Sequence, residues 1–99
     1  VNFVAFGEAT EEYHDELFGY IESEKLKEKY EVMCNKLFGK HSYIKIGKNG
    51  KENKQEISLT LYIRHQIHHP ENTKNTKYTE KQLTDSINAM REFLQIENI

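Results

Sequence analysis

"EISLTLYIRHQIHH", residues 56 to 69, decides the fold. Ile57, Leu59, Leu61 and Ile63 alternate as a half-buried strand would, while Leu59, Tyr62, Ile63 and Ile67 recur at the spacing of one helix face. The same letters carry both periods. A helix is the better reading, because the segment is long and has Gln66, His68 and His69 where a strand should end. Pro70 stops that helix just after His69, since proline disfavours helical geometry in the residue before it. The alternative is a hairpin in which residues 43–46 pair with residues 57–61.

Working outward, residues 8–22 have a helical period, with Tyr13, Leu17, Tyr20 and Ile21 on one face and acids in the first turn, where the helix terminus is positive. A break is expected near Glu22 and Ser23, with Ser23 as the next N-cap. In residues 24–38, Leu26, Tyr30, Met33, Cys34 and Leu37 fall at i, i+4, i+7, i+8 and i+11, and Gly39 ends the run. Residues 39–55 are polar, lysine-rich and glycine-bearing, with a turn signal at Asn49-Gly50, and read as a loop. Gly47 to Lys51 lacks the glycine spacing and the Lys-Ser/Thr of a phosphate-binding loop. Residues 70–78 form a second polar loop. Thr79-Glu80-Lys81-Gln82 is a capping box that opens a last helix, 79–95, with Leu83, Ile87, Met90 and Leu94 on its apolar face and Phe93 beside them. The expected fold class is therefore all-α: a four-helix antiparallel bundle in one domain, residues 1–99, with a long lysine-rich loop between helices 2 and 3.

Ninety-nine residues suffice for one domain with a modest core. With 36% hydrophobic and 30% charged residues, the surface is large and wet, or a partner is needed. No run approaches a membrane span, so no membrane partner is expected. Residues 1–4 lack the basic start and cleavage site of a signal peptide. Without an initiator Met, the chain reads as a domain excised from a longer protein. Cys34 is the single cysteine, so no internal disulfide can form. It points to a reducing, cytoplasmic setting and reads as a buried structural thiol. The net charge of −2 conceals a segregation: residues 8–31 carry nine acids and three lysines, residues 36–54 six lysines and one glutamate. Lys36, Lys40, Lys45, Lys48, Lys51 and Lys54 suit phosphates, or a plain solvated loop.

Residues 64 to 69 hold three of the five histidines and one of the two arginines. Three uses compete. Histidines near a helix C-terminus favour its exposed carbonyls. His65 with His68 or His69 could face one metal ion, with a third ligand from Glu71, His14, His41 or another chain, but Arg64 adds unwanted positive charge. The third use is phosphoryl transfer on RNA. Histidine titrates near neutrality and serves as base or acid, and arginine grips phosphate with two donors.

Arg64, four residues, then His69 resembles the signature of the HEPN ribonucleases, and His65 fits the polar residue that commonly follows the arginine in that family. The motif's place, at a helix end before a polar loop and a last long helix, is similar too. The stretch also looks like C-terminal domains attached to ATPases of bacterial anti-phage systems and to anticodon nucleases. The resemblance implies a HEPN-type helical bundle that dimerises so that two motifs share a cleft. It implies a metal-independent endoribonuclease of a toxin or defence effector, without cofactors, leaving 2′,3′-cyclic phosphate and 5′-hydroxyl ends. Its partners would be RNA, a second copy, and an ATPase or sensor domain in the same parent chain. Arg64 would stabilise the phosphorane, His69 would be acid or base, and His65 would orient the site or touch phosphate. Glu71 or Glu56 could supply an assisting acid. His68, Glu71, Lys40, Lys45 and Lys48 are candidate substrate contacts. The alternative is a non-catalytic helical module that dimerises its parent or binds RNA or nucleotide.

Overall fold

The computed structural model describes residues 10–97. Residues 1–4, read for a leader, and residues 8 and 9 of the first expected helix lie outside them. The elements in chain order are α1 (Glu11–Ser23), α2 (Lys27–Phe38), β1 (Lys40–Ile46), β2 (Glu52–Ser58), α3 (Leu59–His68) and α4 (Glu80–Ile96). The all-α expectation is thereby corrected: the fold is mixed α/β, four helices plus a two-stranded antiparallel sheet.

Both periods in residues 56–69 are used, one after the other. Glu56 to Ser58 finish β2, and the helix starts at Leu59 rather than at residue 56. Ser58 is the switch. Its backbone is extended, and its Oγ accepts the Leu61 N–H at 3.3 Å, capping α3. The lysine-rich stretch read as a loop holds β1 and most of β2. The hairpin alternative also had the wrong partner, because residues 43–46 pair with Gln55, Lys54, Asn53 and Glu52. The turn sets that register. The Gly47 N–H donates to the Lys51 carbonyl at 2.8 Å, the Gly50 N–H donates to the Gly47 carbonyl at 3.0 Å, and Gly50 takes a φ of 78°. One face of the ribbon packs on α3, where Tyr62 meets His41 and Tyr43 with ring centroids 5.7 and 6.0 Å apart.

The helix ends follow local chemistry. The α1 helix closes in a Schellman motif: the Leu26 N–H donates to the Ile21 carbonyl and the Lys25 N–H to the Glu22 carbonyl, both at 3.0 Å, with Lys25 left-handed at φ 60°. Ser23 therefore does not cap α2; its hydroxyl donates to the Tyr20 carbonyl at 2.7 Å, and Leu26 holds the cap position with no side-chain cap bond. Gly39 ends α2 at a φ of 74°. The capping box stands as read: Thr79 Oγ1 accepts the Gln82 N–H at 3.1 Å and Gln82 Oε1 accepts the Thr79 N–H at 2.9 Å.

Leu17, Phe18, Ile21, Tyr30, Ile63, Met90 and Phe93 are central in the core. Cys34 is a buried free thiol, as expected. Leu37 is 56% exposed, because Phe38, not Leu37, turns in against the core. A buried polar chain threads the helices. The Tyr30 OH and Thr60 Oγ1 lie 2.6 Å apart, Thr60 Oγ1 and Ser86 Oγ 2.7 Å, and Ser86 Oγ and His14 Nε2 2.8 Å. Each helix contributes one member. Every hydroxyl can both donate and accept, so the three hydroxyls and His14 Nε2 form one connected chain, while His14 Nδ1 is buried without a partner among the described residues. Burial, then the nearby Arg64 charge, lowers the His14 pKa to about 4, so its ring is neutral near pH 7.

Candidate functional site

Residues four apart share one side of a helix, so α3 divides the Arg/His cluster between two neighbours. Arg64 and His68 face α1. The Arg64 guanidinium carbon sits 4.8 Å from the Phe18 ring centroid, and Nη2 is 3.4 Å from Glu22 Oε1. His68 Nε2 is 3.0 Å from Asp15 Oδ2. His65 and His69 face the hairpin, with ring centroids 6.5 Å apart. Arg64 and His69 are thus not brought together within this chain. The spacing of five, not four, is the reason.

His65, His69, Glu71, Asn72, Tyr43, Lys45, Ile46 and Gln55 line one pocket of about 370 Å³ between the end of α3 and the ribbon. Of the expected substrate contacts, Lys45 and Glu71 are there. Lys48 lies in the hairpin turn. Lys40 is at the far end of β1, about 17 Å from Lys45 along the strand. His68 is on the other side of α3. Glu56 lies outside the pocket on β2, where its carboxylate accepts the Ser42 hydroxyl at 2.8 Å. Among the described residues, no three or more His, Cys, Asp or Glu side chains gather to hold a metal ion. His14, a candidate ligand in sequence, is enclosed in the core on Ser86, and His41 packs on Tyr62.

The two imidazoles of the pocket differ. His65 is half-buried and tilted on Tyr43 with centroids 5.0 Å apart. Burial, followed by His69, Lys45, Lys27 and Arg64, lowers its pKa below the usual histidine value, which keeps the ring neutral at pH 7. His69 is exposed, and its Nδ1 lies 3.4 Å from Glu71 Oε1. An ionised carboxylate only accepts, so Nδ1 carries the shared proton and Nε2 is left for chemistry.

Residues unremarked in the sequence build the pocket wall. Asn72 Nδ2 donates to the Ile44 carbonyl at 2.8 Å and to the Tyr43 hydroxyl at 3.3 Å. Asn75 Oδ1 accepts the Ile44 N–H at 2.7 Å, and its Nδ2 donates to the same carbonyl at 3.0 Å. Two loop asparagines thus close the outer edge of β1 and seat the loop after Pro70 beside His69. The Tyr62 hydroxyl and Gln66 Nε2 both donate to the Thr76 carbonyl, at 2.6 and 2.7 Å, and pin the rest of that loop. Asparagine commonly bonds to nearby backbone, but nothing in "PENTKNTKY" says which strand it will meet.

Comparison of the chain with protein-family models, curated proteins and solved structures finds no match.

Proposed function

We propose that the domain is a metal-independent endoribonuclease whose chemistry takes place in the pocket between α3 and the hairpin. The observation that carries this reading is the pair His65 and His69, 6.5 Å apart in unlike environments, with Lys45 beside them. His65, neutral at pH 7, takes the proton of an RNA 2′-hydroxyl. The 2′-oxygen attacks phosphorus, the bond from phosphorus to the 5′-oxygen breaks, and His69 as imidazolium protonates that leaving oxygen through Nε2. The products are a 2′,3′-cyclic phosphate and a 5′-hydroxyl. Glu71, 3.4 Å from His69 Nδ1, orients the ring. Lys45 supplies positive charge for the phosphorane. Arg64, turned to α1, positions α3 in this scheme. The setting is that implied by the motif: a cytoplasmic toxin or defence effector, active as a homodimer and joined to an ATPase or sensor domain.

One observation favours a second reading, a non-catalytic module that binds RNA or dimerises its parent. Arg64 is occupied by Glu22 and Phe18, away from His69. RNA cleavage in EDTA with analysis of the product ends separates the two. Loss of cyclic-phosphate product in both His65→Ala and His69→Ala is expected of the nuclease. RNA that is bound but never cut by the unaltered domain points to the module.

A further inference from the structure

We propose that the free edge of β2 pairs with β2 of a second copy, antiparallel and centred on Gln55, to make a continuous four-stranded sheet. The two edges of the ribbon are not alike. Ile44 turns its N–H and C=O outward to Asn75 and Asn72, so the pair Ile44–Lys54 is one of the non-hydrogen-bonded pairs of the ladder. The Gly47 N–H to Lys51 carbonyl bond, three residues along, fits the same alternation. It follows that Glu52, Lys54 and Glu56 point their N–H and C=O groups away from β1. No described residue pairs with those groups. One edge is closed by the asparagine loop and the other is open, with its three side chains exposed.

An unpaired strand edge is a template for another strand, and residues with outward backbone groups must lie opposite one another. For two antiparallel copies of β2, three central registers meet that condition. Centred on Lys54, lysine faces lysine and Glu52 faces Glu56. Centred on Glu56, glutamate faces glutamate. Centred on Gln55, each Lys54 faces the other copy's Glu56, and Asn53 faces Ile57. Of these three, only the last sets opposite charges across from each other, twice by symmetry, and like charges directly opposite are destabilising. A register centred on Asn53 would set Glu52 against Lys54, but it overlaps less of the strand and Glu52 is already paired with Lys74. Lys54 has no ion pair within the chain among the described residues, so its charge is free for this use.

The symmetry axis then runs perpendicular to the sheet. Both Tyr43 faces lie on the same side, with the two Tyr43 backbones about 14 Å apart across four strands. Two His65/His69 pockets would open side by side. The pairing itself rests on the sheet and not on the ribonuclease reading.

Sedimentation equilibrium of the domain, with disulfide trapping, tests it. Wild type is expected to dimerise with rising concentration. Lys54→Pro removes an outward N–H without touching the β1 ladder, and should give a folded monomer by circular dichroism. Lys54→Glu should also be monomeric, and adding Glu56→Lys should restore the dimer. Gln55→Cys should cross-link to itself under mild oxidation, because the axis brings its two Cα atoms to about 4.5 Å, whereas Asn53→Cys should not. A monomer at every concentration overturns the proposal. So does a dimer that survives Lys54→Pro, or one in which Gln55→Cys fails to cross-link. The readouts are mass and disulfide, so this pairing and the cleavage chemistry can fail independently.

Discussion

The two sides of α3 each carry a pair of basic side chains four residues apart, Arg64 with His68 and His65 with His69, and have opposite fates. On the α1 side, Arg64 and His68 meet Glu22, Asp15 and the Phe18 ring. On the hairpin side, His65 and His69 meet an aromatic ring, a lysine and an open pocket, with Glu71 the one carboxylate lining it. The charge segregation along the chain explains the contrast. Asp15 and Glu22 of the acidic stretch meet one side of α3, and Lys45 of the lysine-rich stretch lies beside the other. Cations among acids are neutralised and hold helices together. Burial and neighbouring positive charge keep His65 neutral, while His69 sits exposed beside Glu71, and that difference suits proton transfer.

The sharpest test of that contrast is chemical. His65→Ala or His69→Ala should lower cleavage by about 10²- to 10⁴-fold, the usual worth of a general acid or base, with a small change in melting temperature. If Arg64→Ala or His68→Ala alone abolished cleavage in a domain that stayed folded, the two sides would have been assigned the wrong way round. The pH profile refines the same point. A base whose pKa is lowered loses activity only as pH falls below the ordinary histidine value of 6.5, so the acidic limb of the rate profile should lie below it.

Next in size is the buried histidine beside Arg64. His14 has an unfolded pKa of 6.5 and a folded value of about 4. The unfolded chain takes up the proton first, so stability is full above pH 6.5 and falls as pH drops towards 4. The loss is about 3 kcal/mol, at 1.36 kcal/mol per pH unit of difference. Urea titrations at several pH values should show it, and His14→Gln should remove most of the pH dependence in that window, leaving the smaller part that His65 contributes.

Arg64→Ala should cost about 1–2 kcal/mol, the sum of a partly desolvated contact on the Phe18 ring and an ion pair open to water. That is a fall of several degrees in melting temperature. His68→Ala should cost less than about 0.5 kcal/mol, because His68 and Asp15 are both partly exposed. A larger effect for His68 than for Arg64 would mean that the α1 side is held by something other than these charges.

Much of the helical part was legible. The stripe Leu26, Tyr30, Met33 and Cys34, the stop at Gly39, the capping box at Thr79 and the break at Pro70 lie where the letters place them, because each depends on contacts within one helical turn, while the stripe's last member, Leu37, is exposed. The buried thiol of Cys34 follows from the same stripe. The hairpin was not legible. "ENKQEIS" has one apolar residue, and its strand exists because a glycine turn folds it onto β1, α3 covers one face and two asparagines from a later loop close β1's edge. The candidate site was half legible. Residue types and helix end pointed to Arg64, His65 and His69, and the fold kept the two histidines and Glu71 but turned Arg64 away.

What the sequence determined by itself was what one turn of backbone decides: the stops at Gly39 and Pro70, the start at Thr79, and which residues lie four apart on α3. The tertiary structure decided which neighbour each side of α3 meets. That choice rests on packing between segments distant along the chain, where Phe18 and Glu22 claim Arg64, and Tyr43 with the Asn72 loop encloses His65 and His69. No local periodicity encodes such contacts, because their energy comes from burying surfaces that meet only once the chain has folded.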